Sequence, residues 1–392
     1  MSTGEAKSPA FLAPLEGMRG IAAVGVVLYH SFYHWQINRV PLIEHGNLFV
    51  DLFFVISGFV ISHIYNFRLS PEQDLARFAV LRTARLYPLH LCMLLVLAAY
   101  TLGTAWARNT WDLPFPQIHT SMLANNDGSS FLENLFMLQG LISSKTPSFN
   151  SPSWSISTEY FTYFSFGLTL LIANPRSRWF PLVLAGITLA ALGCLFWQGS
   201  LTHDLKILRC VGGFFSGALV YLAWTRSRPA LRRWTGQGIS AHLSELAAVG
   251  LTTAVLWYCG EGRAQFLLLP CFALLVFLLA DGRGMVAAFL RQRHIQKIGK
   301  WSYSIYMVHF TVILAMSDLA RCIWPRGPVE FTRWNVAETT LLSLLLLALV
   351  LLVSSMTYRY VEDPPRRWAK RWVTRRLGGG PTAEQDALAG AP

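Results

Sequence analysis

The chain has 392 residues, of which 53% are hydrophobic and only 14% charged, against about 25% charged in an average soluble protein. A soluble fold of this length cannot hide so much apolar surface, and the same figures exclude disorder, so a polytopic membrane protein remains. The net charge is +12, but Lys and Arg fall in short clusters between apolar runs, which argues against a nucleic-acid surface.

Residues 1–10 read as a cytoplasmic N-terminal tail without the apolar run of a signal peptide. A membrane helix needs about 20 mostly apolar residues. Ten such segments follow, near 16–37, 46–66, 84–106, 152–173, 179–198, 206–224, 243–260, 263–281, 298–319 and 337–358. The expected fold is an all-α transmembrane helix bundle. The seventh and eighth segments share a very short link, which predicts an antiparallel hairpin. The stretch FLENLFMLQGL at 131–141 is too short to span and reads as an interfacial or re-entrant piece of a long loop, 107–151. With the N-terminus inside, about 24 of the 33 Lys and Arg lie on the cytoplasmic side, so both termini are expected there. The tail after Leu377 reads as disordered. Six cysteines without CxxC pairing read as small core hydrophobes, and no metal site is expected.

Ionisable groups inside a bilayer are costly and are functional candidates by default. In the first span, EGMRGIAAVGVVLYH, Arg19 and His30 are eleven residues apart, which places them on nearly one helix face, roughly 16 Å apart along the axis. In the second, GNLFVDLFFVISGF, Asp51 is expected at the depth of His30, where a carboxylate orients an imidazole as a general base. Ser57-Gly58 lacks the GxSxG elbow of a serine nucleophile. Before the third span, Arg82 and Arg85 share a face at the cytoplasmic surface, suited to gripping phosphates or simply to anchoring. In the fourth, SPSWSISTEYFTY, Ser155, Glu159 and Tyr163 form one stripe with Trp154 at its mouth. Glu159 there suits holding a sugar hydroxyl or sharing a proton with His30. The ninth, GKWSYSIYMVHF, places Tyr303, Tyr306 and His309 along another stripe; core packing is the plainer reading, with His309 and Tyr303 kept as secondary candidates. An arginine cluster at one end and a His/Asp/Glu cluster at the other suit a long, phosphate-bearing donor such as a coenzyme A thioester. The alternative is a proton-coupled transporter of a small solute, but the inverted repeats of many transporters are missing.

These motifs, in this order and spacing and together with SMTYRYVEDP, resemble the acyltransferase-3 family of bacterial membrane O-acyltransferases from about residue 11 to 368. The resemblance implies a multi-pass protein of the bacterial cytoplasmic membrane that moves an acyl group, usually acetyl from acetyl-CoA, to a hydroxyl of an extracytoplasmic carbohydrate, glycolipid or related acceptor. It implies acyl-CoA as donor substrate and no permanently bound cofactor. Its motif roles fall on Arg19 and His30, Arg82 and Arg85, Asp51, and Glu159. We therefore expect His30, Asp51 and Glu159 to be catalytic, Arg19, Arg82 and Arg85 to hold the acyl-CoA, and Ser155, Trp154 and Tyr163 to position the acceptor. Residues 369–392 are expected to form a basic, then disordered, cytoplasmic tail. Two positions depart from the family pattern: Glu16-Gly17 stands where Asp-Gly is usual, and Glu159-Tyr160 replaces an acidic pair. The chain ends soon after the tenth segment, so the SGNH hydrolase-like domain fused to many members is not expected.

The orientation is tested by reporter fusions. One near Ser129 is expected to read outside and one near Gly236 inside; the reverse would invert the direction of acyl flow with the topology.

Overall fold

The computed structural model describes residues 12–31, 40–65, 67, 73–111, 125–142, 148–201, 205–234, 238–323 and 336–376. The N-terminal tail, the end of the first predicted segment and the tail after Leu377 lie outside these residues. No strand occurs among them, and the chain is an all-α bundle.

Each expected span has its helix: α1 Ala13–His30, α2 Phe49–Tyr65 and α3 Gln73–Trp111. A short α4, Gly128–Leu135, precedes α5 Trp154–Ile172, α6 Phe180–Trp197, α7 Lys206–Trp234 and α8 Ile239–Tyr258. The hairpin partner α9, Leu268–Leu279, packs on α8 as expected. Two short helices, α10 Met285–Leu290 and α11 Arg293–Lys300, lead into α12 Ser302–Ile323 and α13 Val336–Thr357. Seven helices among the described residues are long and apolar enough to cross a membrane. Helices α1, α5 and α12, of 18, 19 and 22 residues, are long enough but are not among the seven. They carry Arg19 and His30, Ser155 and Glu159, and Tyr303, Tyr306 and His309, the polar groups that dilute their apolar character.

Two helices run further than expected. The 39 residues of α3 measure about 58 Å, well beyond a hydrocarbon core of about 30 Å, and carry Arg82 and Arg85 inside the helix rather than before it. After α13 the chain widens into a π turn, Tyr358–Glu362, and continues as α14, Asp363–Arg376. Pro364 and Pro365 lack the N–H that an α-turn requires, and the wider turn accommodates them. The expected basic tail is therefore helical as far as Arg376, with Ala369 and Val373 buried and α14 packed on α3.

The stretch 131–141 is helical only to Leu135. Asp127 caps α4 by accepting from the Ser130 amide at 2.7 Å. Tyr87 and His90 of α3 donate to the Leu135 and Asn134 carbonyls at 3.0 and 2.8 Å, and Ser157 of α5 donates to the Met137 carbonyl. The loop is thus tied across two helices.

The contact between α2 and α7 depends on glycine. A Cβ on Gly58 would lie 1.8 Å from the Phe214 carbonyl oxygen, and one on Gly217 2.0 Å from that of Val55. Such close approach is the small-residue packing by which membrane helices associate without a hydrophobic driving force. Gly58→Val or Gly217→Ile is expected to lower the melting temperature and folded yield in detergent sharply. Gly193→Ala on α6, whose Cβ meets nothing within 4 Å, is expected to leave both unchanged or slightly raised.

Candidate active site

The site is built along α1, α2, α3, α5, α12 and α14. At one end Arg19, Arg82, Arg85, Arg366 and Lys370 line a cavity of about 80 Å³ with Glu16 and an apolar wall that includes Ile56 and Val60. Arg19 is 3.7 Å from Glu16. The Arg82 guanidinium lies between the rings of Phe78 and Tyr163, 5.9 and 5.8 Å from their centroids. Arg19 and Arg85 also line a second cavity of about 30 Å³ that runs past Phe53, Ser57 and Glu159 to Ser155 and Tyr306.

Beyond Tyr306 lie two imidazoles. His309 Nε2 is 3.3 Å from His30 Nδ1, with ring centroids 4.9 Å apart. His30 Nδ1 is also 3.0 Å from the Val26 carbonyl, and His309 Nδ1 is 2.6 Å from the Tyr306 carbonyl. A carbonyl only accepts, so both Nδ1 atoms carry the hydrogen. His309 Nε2 then presents a lone pair to the His30 Nδ1–H. His30 Nε2 keeps its own lone pair, without a partner among the described residues. That tautomer is the one a general base needs.

The partner expected for His30 is elsewhere. Asp51 is fully buried and receives both Nε and a terminal nitrogen of Arg209, at 2.9 and 2.7 Å; the latter nitrogen also donates to the Asn47 carbonyl at 3.0 Å. Asp51 makes no hydrogen bond to His30. A buried carboxylate gains more from a guanidinium fork than from a neutral imidazole. His309 occupies the place beside His30 that was expected for Asp51.

Glu159 is displaced from the expected arrangement too. Its Oε1 accepts from Ser57 and from Tyr163, each at 2.6 Å, and it lines the second cavity rather than touching His30. Tyr163, expected to position the acceptor, is buried beside Arg82, toward the arginine end. Trp154 lies under the Arg209 guanidinium, 5.3 Å from its carbon. Ser155 Oγ is 2.7 Å from the Tyr306 hydroxyl, which donates to the Pro152 carbonyl at 2.8 Å. Tyr303 donates to the Leu86 carbonyl at 2.5 Å.

Sequence reasoning missed Arg209, Glu362, Arg366 and Lys370. Arg209 carried a usable signal, an arginine inside a predicted span. Glu362 lies in the quoted YRYVEDP motif; it is buried, accepts from Ser304 at 2.7 Å and pairs with Arg366 at 3.2 Å.

The model of the family described as an acyltransferase domain, Acyl_transf_3, matches residues 13–359. The chain is 25% identical to the acyltransferase MdmB of Streptomyces mycarofaciens, over 91% of this chain and 92% of that protein. It is 23% identical to the O-acetyltransferase OatA of Staphylococcus aureus, over 92% of this chain but only 58% of that longer protein. No solved structure matches.

The ion pair between Asp51 and Arg209 makes its own prediction. Removing either partner leaves an uncompensated buried charge, which costs about 3–5 kcal/mol. Asp51→Leu and Arg209→Met are each expected to lower the unfolding temperature in detergent, and the double variant by less than their sum. Strict additivity would show that the pair is not coupled.

Proposed function

This chain belongs to the acyltransferase-3 family, and from that premise we propose that it moves an acyl group, acetyl foremost, from cytoplasmic acyl-CoA to a hydroxyl of an extracytoplasmic carbohydrate or related acceptor. The bacterial cytoplasmic membrane is its proposed location. The observation that carries the reading is the pair of cavities sharing Arg19 and Arg85, which lead from the arginine cluster to Tyr306 beside the imidazoles.

In this reading Arg19, Arg82 and Arg85 hold the phosphates of the donor, where guanidinium forks match phosphate oxygens. The pantetheine arm follows the second cavity between Phe53, Phe54 and Ile156. His30 Nε2 removes the proton of the acceptor hydroxyl as its oxygen attacks the thioester carbonyl. The tetrahedral intermediate collapses, the acyl C–S bond breaks, and the proton passes to the departing thiolate. His309 Nε2 holds the His30 Nδ1–H and so keeps the other nitrogen basic. Asp51, committed to Arg209, acts on the acceptor side by holding Arg209 over Trp154. Glu159 anchors Ser57 and Tyr163 along the donor route, and Ser155 lies where that route meets the acceptor. The name of the Staphylococcus relative, an O-acetyltransferase, supports oxygen as the accepting atom and acetyl as the group.

The test is turnover of radiolabelled acetyl-CoA by the purified protein with a panel of carbohydrate acceptors. His30→Ala is expected to lose about 10²–10⁴-fold in rate while still binding acetyl-CoA. His309→Gln is expected to fall between this variant and wild type, because a neutral side-chain acceptor persists at that position. A folded His30→Ala protein with more than about a tenth of wild-type rate would remove His30 as the base.

A further inference from the structure

The cavity at the arginine end has a wall that the donor-binding motifs do not include. Arg366 and Lys370 lie one turn apart on α14 and line it together with Arg19, Arg82 and Arg85. Five cations therefore face one space, with Glu16 among its lining residues and Glu362 bound to Arg366 as the nearby carboxylates. Arg82 is only 6% exposed, yet its Nε has no hydrogen-bond partner, and the guanidinium has no ion pair among the described residues. A buried guanidinium donor left unpaired is costly. Here it belongs to a cavity lined by four other cations, a setting that favours an anionic partner.

We propose that α14 closes the phosphate site of the acyl donor, with Arg366 and Lys370 binding its phosphate groups from a second helix alongside Arg82 and Arg85. This rests on the donor reading above and extends it to residues outside the RxxR motif. Glu362 is the resident counterion of Arg366, and a phosphate dianion competes with it for the same guanidinium. A phospholipid headgroup offers the same chemistry, but the geometry favours the donor. The cavity shares Arg19 and Arg85 with the second cavity, which reaches Ser155 and Tyr306. Cations suited to headgroups lie elsewhere on α14: Arg371, Arg375 and Arg376 are exposed, as are Trp368 and Trp372, whose rings stack at 6.4 Å.

The experiment is calorimetric titration of coenzyme A and of pantetheine into the full-length protein, in nanodiscs of phosphatidylcholine with or without phosphatidylglycerol. Lys370→Gln and Arg366→Gln are each expected to weaken coenzyme A binding about tenfold or more, the scale of one lost charged hydrogen bond. Pantetheine, which has no phosphate, should bind these variants and wild type alike. Arg376→Gln, on the exposed face, should leave coenzyme A binding unchanged. Arg366→Gln also frees Glu362 and can disturb folding; Lys370→Gln keeps the test intact if it does. Wild-type coenzyme A affinity in both variants, with loss in Arg82→Ala, would overturn the role of α14 and leave the donor reading standing. A loss that extends equally to pantetheine would also overturn it, as would coenzyme A affinity altered only in phosphatidylglycerol discs. Failure of wild type to bind coenzyme A would overturn the donor reading itself.

Discussion

A charge inside an apolar helix bundle is costly unless a countercharge or hydrogen bonds meet it, and the Asp51–Arg209 pair is the match around which much of this bundle is arranged. Asp51 and Arg209 satisfy each other across α2 and α7. The same two helices are almost in backbone contact, which Gly58 and Gly217 permit. Close packing brings Arg209 over Trp154 at the start of α5, and so sets α5 relative to α2. Glu159, one turn further along α5, then meets Ser57 of α2. The ion pair and the helix contact are thus two aspects of one constraint, and the polar residues of α5 are aligned by it.

The two ends of the bundle solve the charge problem differently. Near Ser155 and the imidazoles, Asp51 and Arg209 pair with each other, and beside them lie two imidazoles, a serine and a tyrosine hydroxyl. At the other end, among the described residues that line the cavity, the cations outnumber the carboxylates, and Arg82 Nε has no hydrogen-bond partner. A proton-transfer centre benefits from a neutral setting in which a lone pair stays available, whereas a phosphate site benefits from uncompensated positive charge. In the proposed reading one chain can serve both needs because about three helical turns of α1 separate Arg19 from His30.

Much of this was legible in the sequence, and what was not has a common cause. Apolar length located the helices, and helical periodicity placed Arg19 with His30, Arg82 with Arg85, and Ser155 with Glu159. These relations live within one helix. The relations that failed lie between helices. Asp51 was matched to His30 on depth alone, but depth does not say which neighbour lies across the interface, and Arg209 is 158 residues away in sequence. His309 looked like core packing because its partner is 279 residues away. Tyr163 was grouped with the acceptor because it shares a stripe with Ser155, but the eight residues between them carry it about 12 Å along the axis, to Arg82.

The same reasoning explains why α14 escaped notice and why it belongs to the site. Its basic residues satisfied the positive-inside pattern, and a basic segment after the last apolar run reads as a tail. Two features argue against a mere tail. The π turn before it lets the helix continue through Pro364 and Pro365 instead of ending, which holds Arg366 and Lys370 against α1 and α3. That turn also buries Glu362, where Ser304 of α12 and Arg366 of α14 both reach it. Ser304 stands beside Tyr303 on the helix that carries Tyr306 and His309. Under the proposed donor reading, a phosphate that draws Arg366 away from Glu362 would alter the contact between α14 and the helix that carries His309.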